Sequence, residues 1–385
     1  ARLRNWTGLA SVAASRALGN ADDPQAYAIR LWLLHESLPT DRAARLGALP
    51  ELHAAGLVSV GPQVKAAVEL KPHGSERRQG WICSDLTPLD GPPVRPRPDF
   101  VLGASPASTT LAQLIPRAKV GSALDLGTGC GIQSLHLGDH CDTIVATDLN
   151  PRALELARIT LGLSGVPAEL RLGSLYEPVQ DASFDLIVTN PPYVLSPPGG
   201  ELVYREGGFS GDGLMRRVVA GSAGRLAPEG TLVVLGNWAI TDEPWQERLS
   251  GWVPSGCDAL ILQRERLDPY EYIEVWLADA GLVGTAEYLP SYRRWLEYFD
   301  GLGITGVGLG WIVLRNAGRE DPDVRVEDWP HSVAQPVGDA LGAHFAAIGA
   351  TRLSDEALLA ATPVRADSLT QEALGEPGAA DPQHI

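Results

Sequence analysis

Four consecutive residues, Asn190, Pro191, Pro192 and Tyr193, carry the most specific chemistry in this chain. An amide or aromatic amine nitrogen is a poor nucleophile because its lone pair is delocalised. A site that uses one must hold both of its hydrogens and aim the lone pair. The Asn190 side-chain oxygen and a proline carbonyl are two acceptors suited to that task. Neither proline has an N–H, so the turn offers acceptors with few competing donors. Tyr193 adds a ring that can stack on a flat substrate. The chemistry that fits is transfer of an electrophilic carbon, such as a methyl, to a planar nitrogen. It calls for no metal, and its rate would come from positioning and from a dry, polarised site. The bland alternative is a Pro-Pro loop that closes a strand.

Two upstream motifs suit a cofactor. Asp125-Leu-Gly-Thr-Gly-Cys-Gly131 follows a short apolar run and precedes a helical stretch. Gly127, Gly129 and Gly131, with Thr128 between the first two, permit a tight turn and a close approach of ligand to backbone. Taken alone, such a turn fits a dinucleotide, another nucleotide or no ligand at all. The spacing GxGxG matches the dinucleotide pattern GxGxxG poorly. Asp148, followed by Leu149, closes the next apolar run. An acid there can accept two hydrogen bonds from ribose hydroxyls, or sit as a helix N-terminal acid beside Asn150 and Pro151.

These residues need a scaffold that brings strand ends together. After a Gly/Pro/Arg linker at 91–98 the pattern alternates between strand and helix, with strands expected at 123–126, 143–147, 168–172, 184–189, 231–235, 257–263 and 306–314. That spacing predicts an α/β fold with a mostly parallel sheet covered by helices on both faces. Residues 1–98 read as a separate N-terminal helical, winged-helix-like unit for substrate recognition. It has helices at 24–38, 41–46 and 49–55, then extended pieces at 63–70 and 81–84. Residues 99–316 form the catalytic domain. Residues 317–385 open on an acidic cluster, continue through helices near 337–348 and 354–361, and end in a loose polar tail, so they read as a small appendage.

In this order, Asp125–Gly131, Asp148 and Asn190–Tyr193 resemble the class I methyltransferases that modify amide or exocyclic amine nitrogens, in particular release-factor glutamine methyltransferases and the "small" domains of ribosomal RNA guanine methyltransferases. The resemblance covers about residues 100–315. It implies a Rossmann-like seven-stranded sheet whose last strand, 306–314, is antiparallel, and S-adenosyl-L-methionine as cofactor. It also implies that Asp125 lies near the methionine part, that Gly127, Gly129 and Gly131 line it, and that Asp148 holds the ribose. Where many relatives carry an acid near the adenine, this chain has Gly173-Ser-Leu-Tyr-Glu177. Either Ser174 replaces that contact or Leu175 packs the ring. Three flanking segments are weaker candidates. Residues 103–110 cap either the cofactor or a helix, through Ser108 or Thr109. Residues 196–212 form a lid, with Tyr204, Arg205 and Glu206 near substrate. Asn237 and Trp238 line the pocket, or Trp238 is core.

Composition narrows the partners. A formal net charge of −16 argues against broad electrostatic binding to nucleic acid. Arginine pairs at 77–78, 95/97, 216–217, 264/266 and 293–294 leave room for a local basic patch, although solvated surface is the ordinary reading. The expected substrate is a macromolecule, either a protein such as a translation factor or an RNA. The four cysteines form no CxxC pair, and His136, His140 and Cys141 have no ligand partners at zinc spacing. Buried thiols in a reducing compartment are expected, with cytoplasm as the default. No apolar run is long enough to cross a membrane.

Overall fold

The computed structural model describes residues 11–75, 77–87, 97–199, 209–362, 364, 373–374 and 383–384. Residues 91–96 of the linker expected at 91–98, with Arg95, residues 200–208 of the expected lid, with Tyr204, Arg205 and Glu206, and most of the C-terminal tail lie outside them.

The N-terminal elements are α1 (Ser11–Leu18), α2 (Pro24–Ala28), α3 (Thr40–Ala44) and α4 (Leu49–Ala54), followed by β1 (Val58–Val60), β2 (Val64–Ala66), β3 (Glu69–Gly74) and β4 (Gln79–Ser84). Asp23 caps α2 by accepting from the Ala26 amide at 2.9 Å, with Pro24 in the first turn. The helix does not reach residue 38. It loosens into a π turn over Ile29–Leu33 and stops at Leu34. The extended piece expected at 63–70 is two strands in different hairpins, β1 with β2 and β3 with β4. The break falls where the chain turns inward at the buried Val68.

The remaining elements are α5 (Pro106–Leu114), β5 (Val120–Leu126), α6 (Ile132–Leu137), β6 (Cys141–Asp148), α7 (Pro151–Ser164), β7 (Glu169–Leu172), β8 (Phe184–Thr189), α8 (Gly213–Gly221), β9 (Leu226–Ile240), α9 (Trp245–Ser250), β10 (Cys257–Leu267), α10 (Pro269–Asp279), α11 (Tyr288–Leu302), β11 (Gly306–Asn316), β12 (Val324–Asp328), α12 (Gly338–Thr351) and α13 (Asp355–Ala360). The main sheet has eight strands in the order β12-β10-β11-β9-β8-β5-β6-β7. This is the expected Rossmann-like arrangement, with β11 antiparallel to both β9 and β10. It corrects the strand count, because β12 pairs parallel to β10 as an eighth, edge strand. That strand comes from the acidic segment expected to be an appendage. Asp258 secures the approach to it by accepting from the Arg319 guanidinium and the Asp323 amide, at 2.9 and 2.8 Å.

The chain divides into two compact units, Ala1–Gly342 and Ala343–Ile385, so neither boundary expected at 98 and 316 coincides with the division. The N-terminal elements are joined tightly to the sheet through β4 and α7. The Trp81 amide donates to Ser164 Oγ at 3.0 Å, and the Cys83 amide donates to Thr160 Oγ1 at 2.9 Å. Gly80 precedes them on β4; a Cβ there would sit 2.6 Å from Ser164 Oγ. Asp85, 5% exposed, accepts both from the Arg152 guanidinium and from the Val101 amide. A charge pair this buried is costly to break from one side.

Farther along the same contact, His73 of β3 and His136 of α6 share a hydrogen bond between their Nε2 atoms at 3.1 Å. Burial pushes both below the usual 6.5, and His136 falls to about 4. Above pH 6.5 neither folded nor unfolded chain protonates His136 appreciably. Below it the unfolded chain takes the proton first, so stability is lost as pH falls from 6.5 toward about 4. We expect the melting temperature of the native chain to drop more steeply across this window than that of His136→Gln. Parallel curves would show that this contact does not titrate.

The core beneath β9 and β11 is organised around Trp238. It is fully buried, stacks on Trp245 with ring centroids 5.7 Å apart, and donates from Nε1 to Gln263 Oε1 at 3.2 Å. Gly308 and Gly310 on β11 leave room for the indole; a Cβ at either would lie 2.3 to 2.6 Å from its atoms. Trp238 is therefore core rather than pocket lining.

Candidate functional site

At the carboxyl ends of β5, β6, β7 and β8 lies a cavity of about 220 Å³. Strand ends are where open α/β sheets bind ligands, because the loops there face outward from a rigid platform. Each of the four strands contributes its own group to the wall.

From β5 come Gly127, Thr128 and Gly129. The two glycines have φ of +74° and +55°, a region L side chains avoid, and a Cβ at either would meet nothing within 4 Å. Their open side faces the cavity. Gly131 behaves differently. It is not on the wall, and its missing Cβ lets the loop approach α7, where Ala157 Cα would otherwise be 3.2 Å away. Asp125 is also off the wall. It is 1% exposed beneath the loop, and its Oδ2 accepts from Thr128 Oγ1 and from the amide and hydroxyl of Ser134 at 2.7 to 2.9 Å. Its role here is to hold the loop. Burial raises its pKa above the usual carboxylate range, and these donors oppose the rise.

From β6 come Asp148 and Leu149. Asp148 Oδ2 accepts from the Gly129 amide and Oδ1 from the Asn150 amide, both at 2.8 Å. Burial pushes its pKa up, and the backbone donors pull it down. Each oxygen keeps a lone pair for a hydroxyl. Asn150 caps α7 by accepting from the Arg152 amide at 3.0 Å. From β7 come Gly173, Ser174 and Leu175. Leu175 has φ +47°, rare for a leucine, and strained backbone of this kind gathers at ligand sites.

From β8 come Asn190, Pro191 and Pro192. Asn190 Oδ1 is buried and has no hydrogen-bond partner among the described residues. An orphaned buried acceptor is costly, so one on a cavity wall points to a donor arriving with a ligand. Tyr193 is not on this wall. Its ring stands edge-on to Trp276 at 6.5 Å, and burial raises its pKa.

The Gly103–Thr110 segment caps a helix and also lines the cavity. Ser105 caps α5 in a reciprocal box with Ser108, so the N-cap is Ser105 and not the expected Ser108 or Thr109, and both residues of the box lie on the cavity wall. Several wall residues lie outside the quoted motifs, Phe100, Gln133 and Leu214 among them. Phe209 lies in the segment expected as a lid, and Arg217 lies 5.2 Å over its ring. Asn237 and Trp238 do not reach the cavity; Asn237 donates to the buried Tyr272 hydroxyl at 3.1 Å.

Three arginines of the expected pairs make contacts within the chain. Arg78 donates to the Ser164 carbonyl, Arg97 pairs with Asp85 and Asp99, and Arg264 donates to the Trp329 and His331 carbonyls. Among the described residues the four cysteines are free thiols, and Cys83, Cys130 and Cys257 are buried. No helix among the described residues is long and apolar enough to cross a membrane.

Residues 103–250 match the family model of the methyltransferase small domain. Over 128 residues the chain is 34% identical to a ribosomal protein uL3 glutamine methyltransferase of Bradyrhizobium diazoefficiens, covering 30% of this chain and 40% of that protein. It is 35% identical over 156 residues to a release factor glutamine methyltransferase of Bordetella pertussis, covering 37% and 56%. It is 33% identical over 115 residues to a ribosomal RNA small subunit methyltransferase C of Citrobacter koseri, covering 29% and 32%. The matched stretch thus spans less than two thirds of each relative.

Proposed function

We propose, from the methyltransferase small domain that residues 103–250 match, that this chain is an S-adenosylmethionine-dependent N-methyltransferase acting on a planar amide or amine nitrogen. The observation that carries the reading is the orphaned Asn190 Oδ1 on the cavity wall beside Pro191 and Pro192. The cavity also fits the cofactor: an open glycine wall at 127 and 129, and a carboxylate at Asp148 with lone pairs to spare.

The cofactor supplies a methyl on a sulfonium, an electrophile strong enough to react without acid assistance. Asn190 Oδ1 and a proline carbonyl hold the two hydrogens of the substrate NH₂, which fixes the direction of its lone pair. Asp148 would receive the ribose hydroxyls. Gly127, Thr128 and Gly129 would lie along the methionine part, and Ser174 and Leu175 would flank the adenine end.

The substrate we favour is a glutamine side chain of a translation factor, methylated in the cytoplasm. The net charge of −16 and the engagement of Arg78, Arg97 and Arg264 in internal contacts suit a protein better than a polyanion. The β3–β4 hairpin is packed on α7, not held out as a free wing, which points the same way. The alternative is an exocyclic amine of RNA or DNA, which Asn190–Pro192 would hold equally well and which the ribosomal RNA methyltransferase relative favours. The test is transfer of radiolabelled methyl from S-adenosylmethionine to a lysate of source cells lacking the enzyme. Loss of label with protease alone is the expected result. Loss with nuclease alone would overturn the protein assignment, and absence of any labelling would overturn the activity.

A further inference from the structure

The cavity wall carries a second orphaned acceptor that the sequence motifs do not predict. Gln133, 3% exposed, sits in the first turn of α6 and faces the cavity. Its Nε2 donates to the Ser108 carbonyl of α5 at 2.8 Å. A carbonyl can only accept, so this bond fixes which end of the amide is nitrogen. The other end, Oε1, is buried and has no partner among the described residues. Leaving it so costs stability unless a ligand donor arrives.

The sheet order says which donor. Along β8-β5-β6-β7 the wall presents, in turn, Asn190, the Gly127–Gly129 loop, Asp148 and the Ser174–Leu175 turn. A ligand whose ribose lies at Asp148 and whose adenine lies at β7 must extend its amino-acid end over β5. Gln133 belongs to the helix that leaves β5 through this loop. The one strong hydrogen-bond donor at that end of the cofactor is its α-ammonium, with three N–H groups.

We propose that Gln133 Oε1 receives the α-ammonium of S-adenosylmethionine, which makes Gln133 the residue that selects a cofactor carrying an intact amino acid. The inference rests on the methyltransferase reading above and adds a residue to it. Gln133 anchors the ligand and takes no part in the transfer. The Ser108 carbonyl steadies it, so the helix start at Ser105 and the loop after β5 are linked through one side chain.

The test compares two ligands by calorimetry on the full chain: S-adenosylhomocysteine, and 5′-methylthioadenosine, which shares the nucleoside but lacks the amino acid. Gln133→Met keeps the side-chain volume and removes the acceptor. We expect it to weaken S-adenosylhomocysteine by about tenfold or more, the effect of losing a hydrogen bond to a charged group, and to leave methylthioadenosine unchanged. Equal weakening of both ligands would mean that Gln133 only supports the fold, and no weakening of either would mean that it touches neither; each result overturns the proposal. If the native chain binds neither ligand, the cofactor reading itself fails, and the role of Gln133 fails with it.

Discussion

Asn190→Ala slows methyl transfer by about 10²- to 10³-fold while S-adenosylhomocysteine binds as before. The size follows from what one well-placed hydrogen-bonding group contributes when it acts mainly in the transition state. Asn190 Oδ1 has no hydrogen-bond partner among the described residues, so its removal breaks no bond there and the fold has no reason to change. Its neighbours Pro191 and Pro192 still shape the turn, but one of the two acceptors that orient the nitrogen is gone. Single-turnover rates together with ligand titration check this. A rate within a few-fold of the native chain would remove Asn190 from the chemistry. A matching loss of cofactor affinity would make it a cofactor ligand instead.

Trp238→Ala is expected to cost about 3–5 kcal/mol of stability, the range for truncating a large buried aromatic. The indole is fully buried, stacks on Trp245 and hydrogen-bonds Gln263. Gly308 and Gly310 cannot fill the void, because neither has a side chain. Gln263 Oε1 would also lose its indole donor. Denaturant unfolding followed by tryptophan-independent circular dichroism measures the loss. A change below about 1 kcal/mol would mean that this part of the core repacks freely. Trp238 is off the cavity wall, so ligand affinity at low temperature should hold.

The sequence made the central sheet legible where strands are short and mostly apolar. Phe184–Thr189 was expected to the residue because, apart from the half-buried Asp185, the run is buried. β9 was underestimated at 231–235 because Ala227-Pro228-Glu229-Gly230 has the composition of a turn. The strand passes through it with an irregular register against β8, and Glu229 takes φ +63°. β12 was hidden by charge. Its acidic residues suggested an appendage, whereas the backbone of Val324–Asp328 completes the sheet edge. In the site, motif membership and wall membership diverged. Asp125, Gly131 and Tyr193 belong to the motifs, yet they build the loop and its surroundings. Phe100, Gln133 and Leu214 are on the wall with no motif to announce them. A lone residue becomes functional through the place the fold gives it, which local spacing does not encode.

The glycine loop after β5 has a thermodynamic consequence. The Gly127 and Thr128 amides both donate to the Thr147 carbonyl at 2.9 Å, the Gly129 amide donates to Asp148, and Thr128 Oγ1 donates to Asp125. Glycine-rich segments have the most conformational entropy to lose on ordering. In this chain that loss occurs during folding, when β6 comes to lie beside β5, and not when a ligand arrives. The loop is preorganised, so a ligand meets open backbone already at its bound shape and its contacts translate into affinity with little ordering cost. The same bonds tie cavity shape to the β5–β6 pairing, so any substitution that loosens Thr147 or Asp148 would return that entropy to the loop and weaken the ligand from beneath.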